Sequence, residues 1–267
     1  MIWAPSSHIL FWLAGGIVGG MVALVLSHRD RLPVGRCAVA WLISMTVTQL
    51  GSRLYYILDN DVPMSAWAYQ GPLGGGVRIP GGLLANLFVM PFVLRALKLP
   101  MLRFADAAVP AAALAIALGR ISCLVGGCCF GRLTDLPWAI QFGPLSPARL
   151  NHFQQGLIPA EARFSLPVHP LQVYFVLAAL SLGLFLLWFR RHRSYAGESL
   201  LIFIAIYAFA KIALETLRER TLIPDAPDPF WIGIVLGTTA TVLLAILRRR
   251  PPTERGRLTP THGLEDA

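Results

Sequence analysis

Seven apolar stretches, each near the length that crosses a bilayer, constrain this chain more than any other feature. They cover residues 8–26, 37–58, a third stretch after the glycine-rich run 71–82, then 105–121, 169–189, 198–217 and 230–247. Each approaches the roughly 20 residues that a transmembrane helix needs. Their ends differ in charge. The first closes on His28, Arg29, Arg31 and Arg36, and the third on Arg95, Lys98 and Arg103. The fifth closes on Arg190, Arg191, His192 and Arg193, and the seventh on Arg248, Arg249 and Arg250. By contrast, the second closes on Asp59, Asn60 and Asp61, and the sixth mixes Arg218 and Arg220 with Glu219. Basic residues collect on the cytoplasmic side of a membrane. The alternation therefore predicts seven transmembrane helices, the N-terminus outside and the C-terminus in the cytoplasm.

Composition points the same way. The chain is 55% hydrophobic and 14% charged, with a mean hydropathy of +0.61; soluble domains carry about a quarter charged residues. A net charge of +9 would suggest nucleic acid in a soluble protein. Here the basic residues stand at the ends of apolar segments, so topology and anionic lipid account for them, and no nucleic-acid partner is expected. The start, Met1-Ile2-Trp3-Ala4-Pro5, lacks the basic n-region of a secretory signal peptide. The expected fold is an all-α integral membrane domain over residues 1–250. Residues 132–168 form an elaboration outside the membrane between spans four and five, and 251–267 a disordered cytoplasmic tail. In the first segment Gly15, Gly16, Gly19 and Gly20 repeat a small-xxx-small pattern that favours close helix packing.

Charged and polar groups inside the spans are expensive and mark candidate sites. At about 1.5 Å per residue, Arg120 lies roughly 22 Å from the cytoplasmic end of the fourth span, in a core about 30 Å thick. Arg53 has a similar height in the second span. Lys211, Glu215 and Arg218 climb the sixth at spacings that let all three share one face. His8, His169, Gln172 and Tyr174 fall near the outer ends of the first and fifth. All of these groups occupy the outer half of the membrane. Two readings are open: ion pairs, chiefly Glu215 with Lys211, Arg218 or Arg53, or a site for an anion. Arginine with free backbone amides suits a phosphate, and at that depth a phosphate is most simply a phospholipid headgroup. His8 and His169 fit helix-end hydrogen bonding or a base role.

The run Gly119-Arg120-Ile121-Ser122-Cys123-Leu124-Val125-Gly126-Gly127-Cys128-Cys129-Phe130-Gly131-Arg132 holds three of the four cysteines. Its glycines are expected to unwind the backbone beside Arg120. Cys123, Cys128 and Cys129 are open to small apolar packing, to a disulfide from Cys123 on the oxidising face, or to metal binding or catalysis. No histidine or fourth cysteine stands at zinc spacing, so no metal or cofactor is expected. The glycine-rich run 71–82 lacks the Gly-Lys-Ser/Thr ending of a nucleotide loop.

This run, followed by Pro137-Trp138-Ala139-Ile140-Gln141-Phe142, resembles the signature region of bacterial prolipoprotein diacylglyceryl transferases in its Gly-Cys-Cys-aromatic-Gly variant. Further segments resemble the same family in order: Gly51-Ser52-Arg53-Leu54, Ile79-Pro80-Gly81-Gly82-Leu83-Leu84, Asp106, His169-Pro170-Leu171-Gln172-Val173-Tyr174, and Tyr207 to Glu219. The resemblance implies a multi-pass protein of the bacterial cytoplasmic (inner) membrane. It implies transfer of the diacylglyceryl group of phosphatidylglycerol to the lipobox cysteine at the signal peptide of a prolipoprotein, with glycerol-1-phosphate leaving. In that reading Arg120, Lys211 and His8 are the catalytic candidates, and Gly126, Gly127 and Gly131 let backbone approach the headgroup. Arg53, Gly81, Gly82, Cys123 and Tyr207 are expected to contact substrate. So are His169, Gln172, Tyr174, Glu215 and Arg218. The chain departs from the family at Pro80, where a histidine is usual, and at Lys211, His8 and Cys123, which stand for arginine, tyrosine and asparagine. His8 or the leaving phosphate is then the expected base. A lipid-binding paralogue, a paralogue with another acceptor and a small-molecule transporter are the alternatives, although no internal repeat supports the last.

Overall fold

A computed structural model describes residues 5–59, 79–219 and 230–249, with side chains from Leu10 in the first helix and from Pro80 in the third. The glycine-rich run up to Arg78, the 220–229 turn and the 251–267 tail lie outside the described residues, as does the side chain of His8. Eight α-helices are described: α1 (Pro5–Arg29), α2 (Val34–Asp59), α3 (Ile79–Ala96), α4 (Met101–Gly126), α5 (Pro147–Gln154), α6 (Leu171–Phe189), α7 (Glu198–Glu215) and α8 (Phe230–Arg249). Among the described residues the only β pairing is three isolated bridges. Four stretches are long and apolar enough to cross a membrane: Leu10–Arg29, Met101–Gly126, Leu171–His192 and Phe230–Arg249. The apolar helix Pro80–Ala96 is shorter, while α2 and α7 dilute their apolar runs with Arg53 and Asp59, and with Lys211 and Glu215.

The helix α4 sits at the centre and packs against α1, α6 and α7. Its alanines explain why. Ala107, Ala111, Ala113 and Ala117 are almost fully buried, and their small side chains let neighbouring backbones come close. The glycines of α1 divide between two neighbours. A Cβ on Gly15 or Gly19 would lie 3.2 Å or 3.1 Å from the α4 carbonyls of Ala115 and Ala111. On Gly16 or Gly20 it would lie 2.9 Å from Met45 or Trp41 of α2. The Trp41 indole also donates to the Gly16 carbonyl at 3.0 Å.

The α2–α3 crossing is tighter still. A Cβ on Gly81 would stand 2.3 Å from the Gly51 carbonyl oxygen, and one on Gly82 2.5 Å from Ser52 Oγ. Asn86 donates to Thr48 Oγ1 at 2.7 Å and to the Gly82 carbonyl at 2.9 Å, while Ser44 donates to Asn86 Oδ1 at 2.8 Å.

At the basic end of the bundle, ion pairs tie the helix termini together. Asp30, just past α1, holds Arg190 at 2.6 Å and Arg193 at 3.1 Å. The buried Asp106 carboxylate accepts from the backbone N–H groups of Gly197 at 2.7 Å and Leu200 at 3.0 Å, capping α7. Glu198 pairs with Arg248 of α8 at 2.7 Å.

At the other end, residues 132–168 fold over Phe130, Phe142, Ala148 and Val168. Ser146 caps α5, accepting from Arg149 N at 3.2 Å, and buried His152 accepts from Leu166 N through Nδ1 at 3.1 Å.

Candidate active site

The site grows from the end of α4. The helix does not unwind where the glycines of the signature begin. It continues through Gly119 and Gly126 and stops only at Gly127, because an interior glycine weakens a helix by only about 1 kcal/mol. Gly127 takes φ +67°. Its N–H bonds the Leu124 carbonyl at 3.3 Å, and Cys128 N bonds the Cys123 carbonyl at 3.1 Å. This double bond pattern is a Schellman cap, which brings the side chains at the third position from the helix end and the second position beyond it into contact. Those two positions are Cys123 and Cys128. Cys129 follows at φ +56°, a left-handed conformation uncommon for a residue with a Cβ.

The segment after the cap is strapped to α6 and α7. Gly131 N donates to His169 O at 3.1 Å, Arg132 N to Leu217 O at 2.8 Å, and Glu219 N to Phe130 O at 3.2 Å. A Cβ on Gly131 would lie 2.6 Å from His169 Cβ and 3.0 Å from the Leu217 carbonyl oxygen, so only glycine fits. Gly127 is pressed as closely on Ser146, 2.7 Å from its Cβ. The space in front of both glycines is therefore filled by protein, and in this structure they serve the backbone path.

Three helices deliver polar groups to this end. From α4, Arg120 is only 7% exposed, and its guanidinium lies 4.0 Å from the centroid of the Phe175 ring of α6. It interacts electrostatically with Tyr207, Cys129, Cys123 and Glu215, but makes no hydrogen bond or ion pair with any described residue. From α6, Gln172 is fully buried and donates to the Cys128 carbonyl at 2.6 Å. Its Oε1 has no partner among the described residues. His169 Nδ1 stands 3.3 Å from the Tyr174 hydroxyl, which accepts from Trp138 Nε1 at 2.8 Å. At the end of α7, Arg218 reaches both oxygens of Glu215 at 3.3 and 3.2 Å and donates to Cys129 Sγ at 3.4 Å. Tyr207 stacks on Phe203 one turn earlier. Lys211 lies half-buried on α7 between Tyr207 and Glu215.

Of the residues expected from the sequence, Arg120, Cys123 and Arg218 meet at Cys129, Glu215 joins them through Arg218, and Tyr207 through Arg120. Gln172, His169 and Tyr174 hold the strap against them. Gly81 and Gly82 stand in the α2–α3 crossing, where close packing leaves no room for a Cβ. Arg53, on α2, is fully buried with its guanidinium 5.5 Å from the Tyr56 ring centroid. Of the ion pairs open to Glu215, the one with Arg218 is formed. Phe175, Trp138 and Cys129 were not among the expected site residues. Phe175 lies one turn beyond Gln172, which was the available clue.

An α-helical protein with four helices long and apolar enough to cross a membrane, and a buried arginine where three of its helices meet, has the build of a membrane protein. Residues 6–248 match the prolipoprotein diacylglyceryl transferase family, and the chain belongs to that family. Among its relatives is the phosphatidylglycerol–prolipoprotein diacylglyceryl transferase of Caulobacter vibrioides, 32% identical over 88% of this chain and 82% of the relative. The proteins of the same name from Clostridioides difficile and Clostridium tetani are 24% and 28% identical. The match covers 86% of this chain and 87% of the relative in the first, and 63% and 62% in the second.

Proposed function

We propose that this protein transfers the diacylglyceryl group of phosphatidylglycerol to the thiol of a prolipoprotein lipobox cysteine, at the junction of α4, α6 and α7. The observation that carries this reading is Arg120, buried where the three helices meet, with its guanidinium on the Phe175 ring and no contact ion pair to a described carboxylate. A buried cation in that state calls for an anion from outside the chain. In the reaction the cysteine sulfur attacks the glyceryl carbon, a carbon–sulfur bond forms, and the carbon–oxygen bond to phosphate breaks. Glycerol-1-phosphate leaves, and the thiol proton passes to that phosphate or to His8. The phosphodiester carries one negative charge and the departing monoester up to two. A fixed guanidinium therefore binds the transition state better than the ground state. Phe175 holds it in place. Lys211 adds a second positive charge, and the orphan Gln172 oxygen is an acceptor for a headgroup hydroxyl.

The family and the charge pattern support seven spans in the cytoplasmic membrane, with α2, α3 and α7 joining the four apolar stretches. The junction and residues 132–168 then face outward, where prolipoprotein signal peptides emerge. Purified protein with labelled phosphatidylglycerol and a lipobox peptide is expected to yield a thioether-linked lipopeptide. Arg120→Ala should lower the rate by about 100-fold or more. An Arg120→Ala protein that works at the wild-type rate would overturn the assignment. Tight phosphatidylglycerol binding without turnover in the wild type would favour a lipid-binding role instead.

A further inference from the structure

We infer that Cys123, Cys128 and Cys129 form a binding site for a soft monovalent cation of the copper(I) class, held by three thiolates in a plane. The three sulfurs lie within 4.8 Å of one another, and all three thiols are free. Three sulfurs placed about 2.3 Å from a central ion in a plane would stand about 4 Å apart. Less than about 1 Å of side-chain movement closes the site, which χ1 adjustments supply.

The backbone already holds these sulfurs together. The Schellman cap sets Cys123 against Cys128, and the Gln172 amide fixes the Cys128 carbonyl. Cys129 completes the cluster only because its backbone takes φ +56°. Packing alone would favour glycine there, since a side chain in that conformation is strained by about 1 kcal/mol or more. A cysteine kept at a strained position, with its sulfur turned toward two others, fits ligation better than space filling.

The surroundings choose the ion. Both Glu215 oxygens bond Arg218, and among the described residues no histidine, carboxylate or fourth cysteine joins the three sulfurs. A tetrahedral zinc site would need a fourth ligand that these groups do not offer. Thiolates without hard oxygen ligands select copper(I). Charge agrees. Three thiolates around a monovalent ion carry two net negative charges, and two guanidiniums face the cluster. Arg218 donates to Cys129 Sγ at 3.4 Å, and Arg120 interacts with Cys123 and Cys129.

The test needs no transferase assay, so its failure would leave the proposed reaction standing. Reduced protein in detergent micelles is titrated anaerobically with copper(I) against a chromophoric copper(I) chelator. The expected result is one equivalent withdrawn from the chelator, near-ultraviolet sulfur-to-copper charge-transfer absorption, and X-ray absorption fitted by three sulfurs. Cys123→Ser, Cys128→Ser and Cys129→Ser should each weaken binding by about 100-fold. Cys37→Ser, at the buried start of α2, should leave it unchanged. Absence of withdrawal by the wild type would overturn the proposal. So would undiminished binding in the triple serine variant, or a disulfide among these cysteines in freshly isolated protein.

Discussion

At the residue scale the decisive contact is Arg120 against Phe175. A guanidinium 4.0 Å from a ring centroid gains about 2 kcal/mol where water is excluded, and the ring also fixes the plane of its donors. Phe175→Leu keeps an apolar neighbour but removes the π face. It is expected to reduce kcat/KM for phosphatidylglycerol by about 5- to 30-fold, mainly through KM if the ring positions the arginine before chemistry. Steady-state kinetics over a range of lipid mole fractions measures this. The arginine was legible in the sequence because a charge in an apolar run stands out. The phenylalanine was not, because nothing in a run such as Leu171–Phe189 separates a ring that faces the site from one that faces lipid. The glycines were read for their backbone freedom. At Gly81 and Gly131 the reason is instead a neighbouring backbone within 3 Å, and a sequence gives no list of neighbours.

Helices and their ends were legible to within a few residues where charge or proline marks the boundary. Where glycine does, the end depends on which glycine turns left-handed. The structure chooses Gly127 over Gly126, and that choice alone brings Cys123 to Cys128. Asp106 shows how one element depends on another. It lies inside α4 yet caps α7, accepting two backbone N–H groups while 1% exposed. Asp106→Ala removes the cap and leaves those donors buried, so thermal unfolding in micelles should show a loss of about 2 kcal/mol. The short helix α5 carries a pH dependence. Burial pushes the His152 imidazole below its ordinary pKa, so the folded protein holds it neutral while the unfolded chain protonates near pH 6.5. The unfolded state then binds more protons in acid, and stability is lost as pH falls through about 6.5. Unfolding temperatures measured from pH 8 to pH 5 should fall, and less steeply in His152→Gln.

On the scale of the whole molecule, the surface that a soluble protein would hide is open. Leu87, Phe88 and Phe92 of α3, Ile17 and Met21 of α1, Leu184 and Trp188 of α6, and Trp231 and Val235 of α8 are all more than half exposed. Spread over four helices, they form lipid-facing surface and not a single docking patch. The two polar ends are unlike. One is laced by Asp30, Asp106, Glu198 and four arginines: Arg103, Arg190, Arg193 and Arg248. The other carries residues 132–168 and the Arg120 junction. On the proposed topology the basic end lies in the cytoplasm, and the proposed phosphate site at the second end opens to the outer leaflet. Reporter fusions decide the orientation. A fluorescent protein that matures only in the cytoplasm, joined after Arg249, should fluoresce, and alkaline phosphatase inserted at the exposed Glu161 should be active. The reverse pattern would turn the Arg120 junction inward, away from emerging signal peptides, and would count against transfer to prolipoproteins as well as against the topology.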